Sequence, residues 1–397
     1  MKVLHVSSAF FPGHSHGGII PAFYELCQSL GRLGCDVKVL TTDASGDGRA
    51  MEVDCTNEVR LAERVHIRYC KYLMGRSVSP TLLRLLPRYI RWADVVHLSS
   101  VYNFPTIPTL LLCRVMGKPL IWSPHGALQR WEGTRRRKLK TIWEWMCRMV
   151  GPTPLRLHVT CDEEAVASRA RFPGCQTVTI PYCVAIPKAR VKTYSEHELR
   201  LLYLGRLDPK KGIENLLMAC RKLNERRRLS WSLTIAGGGN AEYAQTLQAQ
   251  IRTITLDPTT ARIRMVGEVT GHAKEVLFAE ADVLVVPSYT ENFGLVVAEA
   301  LLHEVPVIAG RGTPWKRLED MSCGLWVEND PDSLVEAIER MSRSPLRDMG
   351  RRGRVWAQEE FHPERIGKSM FEWYCRLMIE KLKAAPSLHV CRGSRSR

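Results

Sequence analysis

"ADVLVVPSYTENFGLVVAEALLHEVPVIAG", residues 281–310, is the stretch from which the fold is read. It opens with an unbroken apolar run, "ADVLVVPS", passes through a polar turn, "YTENFG", continues as the apolar stretch "LVVAEALLHE" and closes on "VPVIAG". A short apolar run without polar alternation fits a strand buried on both faces, and such strands belong to parallel sheets covered by helices. The unit is therefore strand, turn, helix, strand. It also carries two carboxylates, Glu291 at the mouth of the helix and Glu299 two turns inside it. Within "LVVAEALL" a charge is partly buried and demands a partner. The plainer reading is that Glu291 complements the helix dipole and Glu299 pairs with a lysine.

The same pattern extends in both directions. Upstream, "KVLHVSS", "DVKVLTT", "ADVVHLSS", "KPLIWSP" and "LRLHVTC" read as strands, with a helix over Pro21–Leu33 after the first. Downstream, "LRLLYLGRL", "WSLTIAGGG", "ARIRMVGEV", "ADVLVVPS", "VPVIAG" and "GLWVE" repeat it, with helices over Ala241–Ile254 and Ser333–Met341. Alternation of this kind gives βαβ units. At 397 residues the chain exceeds one ordinary core. The expectation is an α/β protein of two Rossmann-like, doubly wound domains facing each other across a cleft. Their expected bounds are 1–187 and 188–363, with a linker around residues 180–198 containing Pro181 and Pro187. A final helix is expected over 364–383, followed by a disordered basic tail over 384–397.

Composition narrows the class. Hydrophobic residues make up 45% and charged residues 25%, as in self-folding globular proteins. The 13 cysteines show no C-x-x-C pair, so neither a disulfide framework nor a zinc site is expected, and a reducing cytosol suits them. The N-terminus does not read as a signal peptide, and no stretch is long enough to span a bilayer. Of the net charge of +16, residues 1–187 supply +10, from 24 Lys and Arg against 14 Asp and Glu. Nucleic acid, anionic lipid, a phosphorylated substrate or simple solvation each account for such an excess. No nucleic-acid-binding motif or stacking platform accompanies it, so nucleic acid is not expected as a partner.

In open parallel sheets, ligands bind beyond the carboxyl ends of the strands. "GRLDPKKGIENL" places Arg206 and Lys211 in one such loop, closed by Gly212, as an anion site suited to a diphosphate or as a solvated loop neutralised by Asp208. "TIAGGGNAE" ends a strand on Gly237, Gly238 and Gly239, which permit close backbone approach or a plain turn. In "MVGEVTG", backbone groups of Gly267, Glu268 and Val269 suit a nucleobase edge. Glu291 and Glu299 stand about 12 Å apart at a rise of about 1.5 Å per residue. That matches a nucleoside diphosphate sugar from hexose to ribose. One carboxylate would hold the sugar and the other the ribose, with Asn292, Phe293, Gly294 and Leu295 at the helix start between them.

In the first half, Gly17 and Gly18 precede a helix in a loop fit to approach phosphate. "GHSHG" formally matches a serine-hydrolase elbow at Ser15, but "FFPG" separates it from the strand. The same loop lacks G-x-G-x-x-G, which disfavours a nicotinamide dehydrogenase. His125 in "SPHG" follows a strand and faces the cleft. "NDPD" (329–332) looks like a metal-binding acidic pair, yet Asp330 before Pro331 is better explained as a helix cap, and no metal is expected. "TLLRLLPRYIRW" (81–92), with Arg84, Arg88 and Arg91 on one face, and "TRRRKLKTIWEWMCRMV" (134–150) mix cations with tryptophans. They suit either an anionic membrane surface or core helices with basic outer faces.

Taken in order, strand–"GRLDPKKG", "AGGG", the "VGEV" turn and "ENFGLVVAE" resemble the group 1 glycosyltransferases, most densely over 200–310. "GGIIPAFYELCQSLGRLGCDVKVLT" and "SPHG" extend the resemblance through most of the chain. It implies a GT-B fold, a nucleotide-diphosphate-sugar donor, a glycan or lipid-linked acceptor and a final helix that crosses back to the first domain. It implies retention of anomeric configuration and no cofactor. By the same implication Arg206 and Lys211 hold the diphosphate, Glu299 the ribose, and Glu291 with the Phe293–Leu295 backbone the donor sugar. His125 would face that sugar, and Gly17 and Gly18 the phosphates or acceptor. The implied setting is the cytoplasm, at the inner face of the membrane, in polysaccharide or lipopolysaccharide assembly. An epimerase or phosphorylase on the same architecture, or a non-catalytic sugar-nucleotide binder, are the alternatives. One departure falls at the interdomain hinge, where "PYCVA" (181–185) stands in place of the family's frequent "PNGVD".

Overall fold

The structure is a computed structural model that describes residues 1–384 except 14–17, 46–49, 74–77, 131–133, 135, 188–191, 196 and 255–261. The first lobe is built on eight strands: β1 (Lys2–Val6), β2 (Asp36–Thr42), β3 (Glu58–Ala62), β4 (Val65–Cys70), β5 (Val95–Ser99), β6 (Leu120–Ser123), β7 (Arg156–Val159) and β8 (Gln176–Thr179). Among the described residues their order across the sheet is β3-β4-β2-β1-β5-β6-β7-β8, and only the β3–β4 pair is antiparallel. The second lobe holds β9 (Leu199–Leu204), β10 (Trp231–Ala236), β11 (Ile263–Gly267), β12 (Val283–Val286), β13 (Val307–Gly310) and β14 (Gly324–Val327). These run parallel in the order β11-β10-β9-β12-β13-β14. Winding reverses at β1, flanked by β2 and β5, and at β9, flanked by β10 and β12. Those switch points open crevices at the carboxyl ends of the strands.

All six strands of the second lobe coincide with those expected from sequence. The first lobe adds three. β3 and β4 form an edge hairpin turning through Arg64 at φ 58°, and the polar β8 closes the opposite edge. Edge strands have a solvated face, so their sequences alternate or turn polar and lack the unbroken apolar run by which the central strands are found.

Helix starts follow local chemistry. Asp330 Oδ1 accepts from the N–H groups of Asp332 and Ser333, each at 3.0 Å, at the head of Pro331–Ser342. That is the capping role read from "NDPD". The helix Pro363–Ala384 lies against Ile19–Arg32 of the first lobe, where Ser29 Oγ donates to Pro363 O at 2.8 Å. Arg156 and Glu380 pair at 2.7 Å on the same interface. One apolar core accordingly joins both lobes, containing Phe23, Tyr182, Phe293, Trp356 and Tyr374. The tail over 385–397 and Gly17 and Ser15 lie outside the described residues.

The two basic stretches form helices Pro80–Trp92 and Arg137–Val150. Arg84, Arg88 and Arg91 are exposed on the first. The second buries Glu144 and Cys147 and turns Leu139, Ile142, Trp145 and Met149 outward, each more than half exposed. Its apolar stripe therefore faces away from the core, with Glu144 held inside by Arg130 at 2.7 Å.

Candidate functional site

Loops from the carboxyl ends of both sheets converge on a cleft of about 510 Å³ between the lobes. Arg206, Lys210 and Lys211 reach it from the loop after β9. That loop is pressed onto the loop after β12. Gly212, at φ 62°, comes so close that a Cβ would sit 2.1 Å from Pro287 O, and Tyr289 N–H donates to Lys210 O at 2.9 Å. The contact explains the glycine and brings together two residues 80 positions apart: Lys211 Nζ donates to Glu291 Oε1, each side chain being 13% exposed. Ser288 Oγ donates to the same oxygen at 3.1 Å. Arg206 is exposed and makes no ion pair among the described residues. Burial, with Lys211 and Arg206 alongside, depresses the Lys210 pKa.

Glu299 lines the same cleft from the helix Leu295–Leu302. Its Oε1 accepts from Lys274 Nζ at 2.6 Å, so its partly buried charge is met by a lysine, as the plainer sequence reading allowed. Lys274 was not foreseen. It sits one turn into the helix Gly271–Glu280, following the "VGEV" turn, and its position there was the only signal available.

The glycine loop after β10 is shaped by its own sheet. A Cβ on Gly237, at φ 151°, would lie 1.8 Å from Gly205 O, and Gly237 N–H donates to Gly267 O at 2.7 Å. Gly237, Gly238, Glu268 and Val269 line the cleft, while Gly267 supports it from behind. Asn292, Phe293, Gly294 and Leu295 also line it, with Gly294 at φ 75° opening the helix.

The first lobe supplies the opposing wall, where Gly18, His125, Gly126 and Tyr182 appear. Gly18 abuts Leu295 of the other lobe so closely that a Cβ would fall 2.6 Å from its Cδ1. His125 adopts φ 56° and packs edge-on to Phe23, with ring centroids 4.8 Å apart. Its Nδ1 lies 2.6 Å from Tyr182 Oη. Burial, with His158 and His5 nearby, holds the His125 pKa well below the usual histidine range. Sequence reasoning missed Glu164, fully buried at the start of Asp162–Arg171. It accepts from Gly126 N–H at 2.5 Å and Thr160 N–H at 2.8 Å. With its amide nitrogen toward that carboxylate, Asn292 donates to Glu164 Oε2 at 2.8 Å and accepts from Thr160 Oγ1 at 3.1 Å. Cys161 Sγ donates to Asn292 O at 3.1 Å. Burial pushes the Glu164 pKa up against the lowering effect of these donors.

A cleft of this kind, with cations on one lobe flanked by two carboxylates, is shaped for an extended anion with hydroxyl-bearing ends. Sequence comparison agrees in kind. The family model described as Glycosyl transferases group 1 matches residues 186–356, and that described as Glycosyltransferase Family 4 matches 16–185. The D-inositol 3-phosphate glycosyltransferase of Pseudarthrobacter chlorophenolicus is 26% identical over 397 residues, covering 89% of this chain and 90% of that protein. Among solved structures, the sucrose-phosphate synthase of Thermosynechococcus elongatus superposes with a TM-score of 0.72 at 21% identity, over 96% of this chain and 99% of that one. Anabaena HepE, solved with UDP-glucose, superposes with a TM-score of 0.69 at 14% identity, over 95% of this chain and 100% of that one. The chain belongs to the glycosyltransferases of group 1 and has the two-lobed GT-B fold.

Proposed function

We propose that this enzyme moves a hexose, with retention of anomeric configuration, from a nucleoside diphosphate sugar to a glycan or lipid-linked acceptor. The observation that carries this reading is the placement of Arg206, Lys210 and Lys211 in one cleft with Glu291 and Glu299. The three cations would meet the donor diphosphate, Glu299 its ribose and Glu291 its hexose. The departing diphosphate gathers negative charge, and prearranged cations stabilise that charge more than they stabilise the bound substrate. They supply what a metal ion would otherwise supply, so the reading calls for none. Glu291 is held by Lys211 and Ser288, which suits a group that positions the sugar rather than one that takes a proton. The acceptor hydroxyl then attacks on the face from which the diphosphate leaves. Its proton passes to the departing phosphate oxygen.

We further propose that the acceptor side works at the inner face of an anionic membrane, in surface polysaccharide or lipopolysaccharide assembly. What supports this is the outward apolar stripe of Arg137–Val150 beside Lys138 and Arg148, together with Arg84, Arg88 and Arg91. Tryptophan among cations suits the headgroup layer. No helix among the described residues is long and apolar enough to cross a membrane. The twelve cysteines among the described residues are free thiols, which suits a reducing cytosol.

Thermal unfolding against a panel of nucleotide sugars, beginning with UDP sugars, tests the donor assignment. A donor at 100 times its Kd stabilises the fold by about 2.7 kcal/mol. A panel that shifts nothing and releases no nucleoside diphosphate refutes it.

A further inference from the structure

His125 Nε2 is a buried nitrogen without a hydrogen-bond partner among the described residues, on a side chain that lines the cleft. Its ring is otherwise fixed: Phe23 packs against it and Tyr182 Oη lies 2.6 Å from Nδ1. A neutral imidazole has one N–H and one acceptor nitrogen, and the partner at one nitrogen decides the role of the other.

Tyr182 settles which is which. Its phenol is buried and keeps its proton, since burial raises its pKa well above the ordinary value. Among the described residues the other side-chain group at that oxygen is the Asn292 amide at 3.5 Å, which turns its oxygen toward Tyr182 when its nitrogen bonds Glu164; that is at the limit of hydrogen bonding and far longer than the 2.6 Å to Nδ1. The phenol therefore donates to Nδ1, and the imidazole hydrogen resides on Nε2. Tyr182 also packs edge-on to Phe293 of the second lobe at 5.5 Å, so it is gripped from both sides of the cleft.

We propose that Tyr182 is a positioning residue that holds His125 in the Nε2–H tautomer, making it a hydrogen-bond donor toward a hydroxyl or phosphate oxygen of the ligand in the cleft. The direction of the donor rests on this geometry alone. Its effect on turnover rests on the transferase reading above.

The test is a long-range ¹H–¹⁵N correlation spectrum of ¹⁵N-histidine-labelled full-length protein at neutral pH, with the His125 signals assigned by their loss in His125→Asn. The expected pattern is a protonated Nε2 and a bare Nδ1. Tyr182→Phe keeps the ring and removes the phenol, and should convert the pattern to a mixture or to the Nδ1–H form. With a donor found by the panel, kcat/KM in that variant should fall about three- to tenfold, the value of one hydrogen bond. A protonated Nδ1 in the unmodified protein overturns the inference, and that spectrum needs no variant to fold. An unchanged pattern in Tyr182→Phe also overturns it, whatever happens to turnover. If no nucleotide sugar is turned over, the transferase reading fails while the spectrum still decides the tautomer.

Discussion

Arg206→Ala isolates catalysis from folding. The side chain is exposed and makes no ion pair among the described residues, so its removal should leave stability within about 0.5 kcal/mol. Lys211 does not offer this separation, because removing it leaves Glu291 largely buried without its cation. A unit charge about 4 Å from a developing negative charge contributes about 4 kcal/mol at an effective dielectric of about 20. Exposure of Arg206 screens part of that, and Lys210 and Lys211 persist beside it. A loss of about 2.7–4 kcal/mol of transition-state stabilisation is the resulting expectation, or 10²–10³ in kcat. The assay is steady-state release of nucleoside diphosphate from the donor selected by thermal shift, with unfolding measured in parallel. Arg206→Lys restores the charge without the guanidinium fork and should recover part of the rate. A folded Arg206→Ala enzyme with kcat within about threefold of the parent would contradict the assignment, since uniform binding alone lowers KM without touching kcat.

Gly237→Ala forces a methyl to within 1.8 Å of Gly205 O at φ 151° and should cost about 3 kcal/mol or more, read as a lower midpoint in urea; an unchanged midpoint would mean that the turn is not so constrained. Burial holds His158 at about 4 and His5 at about 3, both below the unfolded value near 6.5. Between pH 6.5 and 4 the unfolded chain binds protons that the fold excludes, so stability falls as pH falls. His158 alone accounts for about 3 kcal/mol across that window. Thermal unfolding from pH 7 to 4.5 should show the decline, and His158→Gln should flatten it; a level profile in the parent would exclude it. Trp145→Glu places a charge in the outward stripe of Arg137–Val150 and should abolish flotation with anionic liposomes without changing stability. Flotation equal to that of the parent protein would remove the membrane from the proposal.

The second lobe could be read from sequence because its strands lie between helices and its ligand-side loops each carry their own signal. "DPKKG" announces two lysines at a strand end, and the helix after "ENFG" announces an acid in apolar surroundings. Lys274 could not be read in this way, since its meaning depends on a helix from one βα unit meeting a helix from another. Strands β3 and β8 were hidden by their edge positions, where solvent relaxes the demand for apolar residues, and β4, one strand in from the edge, by the alternation of "VHIR", which lacks an unbroken apolar run.

Contacts between the lobes were the least legible, and they shape the wall opposite the cations. "CDEEAVA" reads as an ordinary acidic helix start, yet Glu164 is enclosed because the turn at Asn292 closes over it from the other lobe. Gly18 reads as a phosphate-approach glycine. What the structure shows is that its missing side chain makes room for Leu295. Gly126 is constrained likewise, with a Cβ falling 2.6 Å from Asn292 Cβ. The turn 292–295 is thus shaped from both lobes, by first-lobe glycines that admit it and by a buried carboxylate that binds it. A side chain at Gly18 or Gly126 would therefore displace the turn beside the proposed sugar site without touching a ligand. Geometry at the proposed donor site depends on how the lobes meet as much as on the motif that carries the cations.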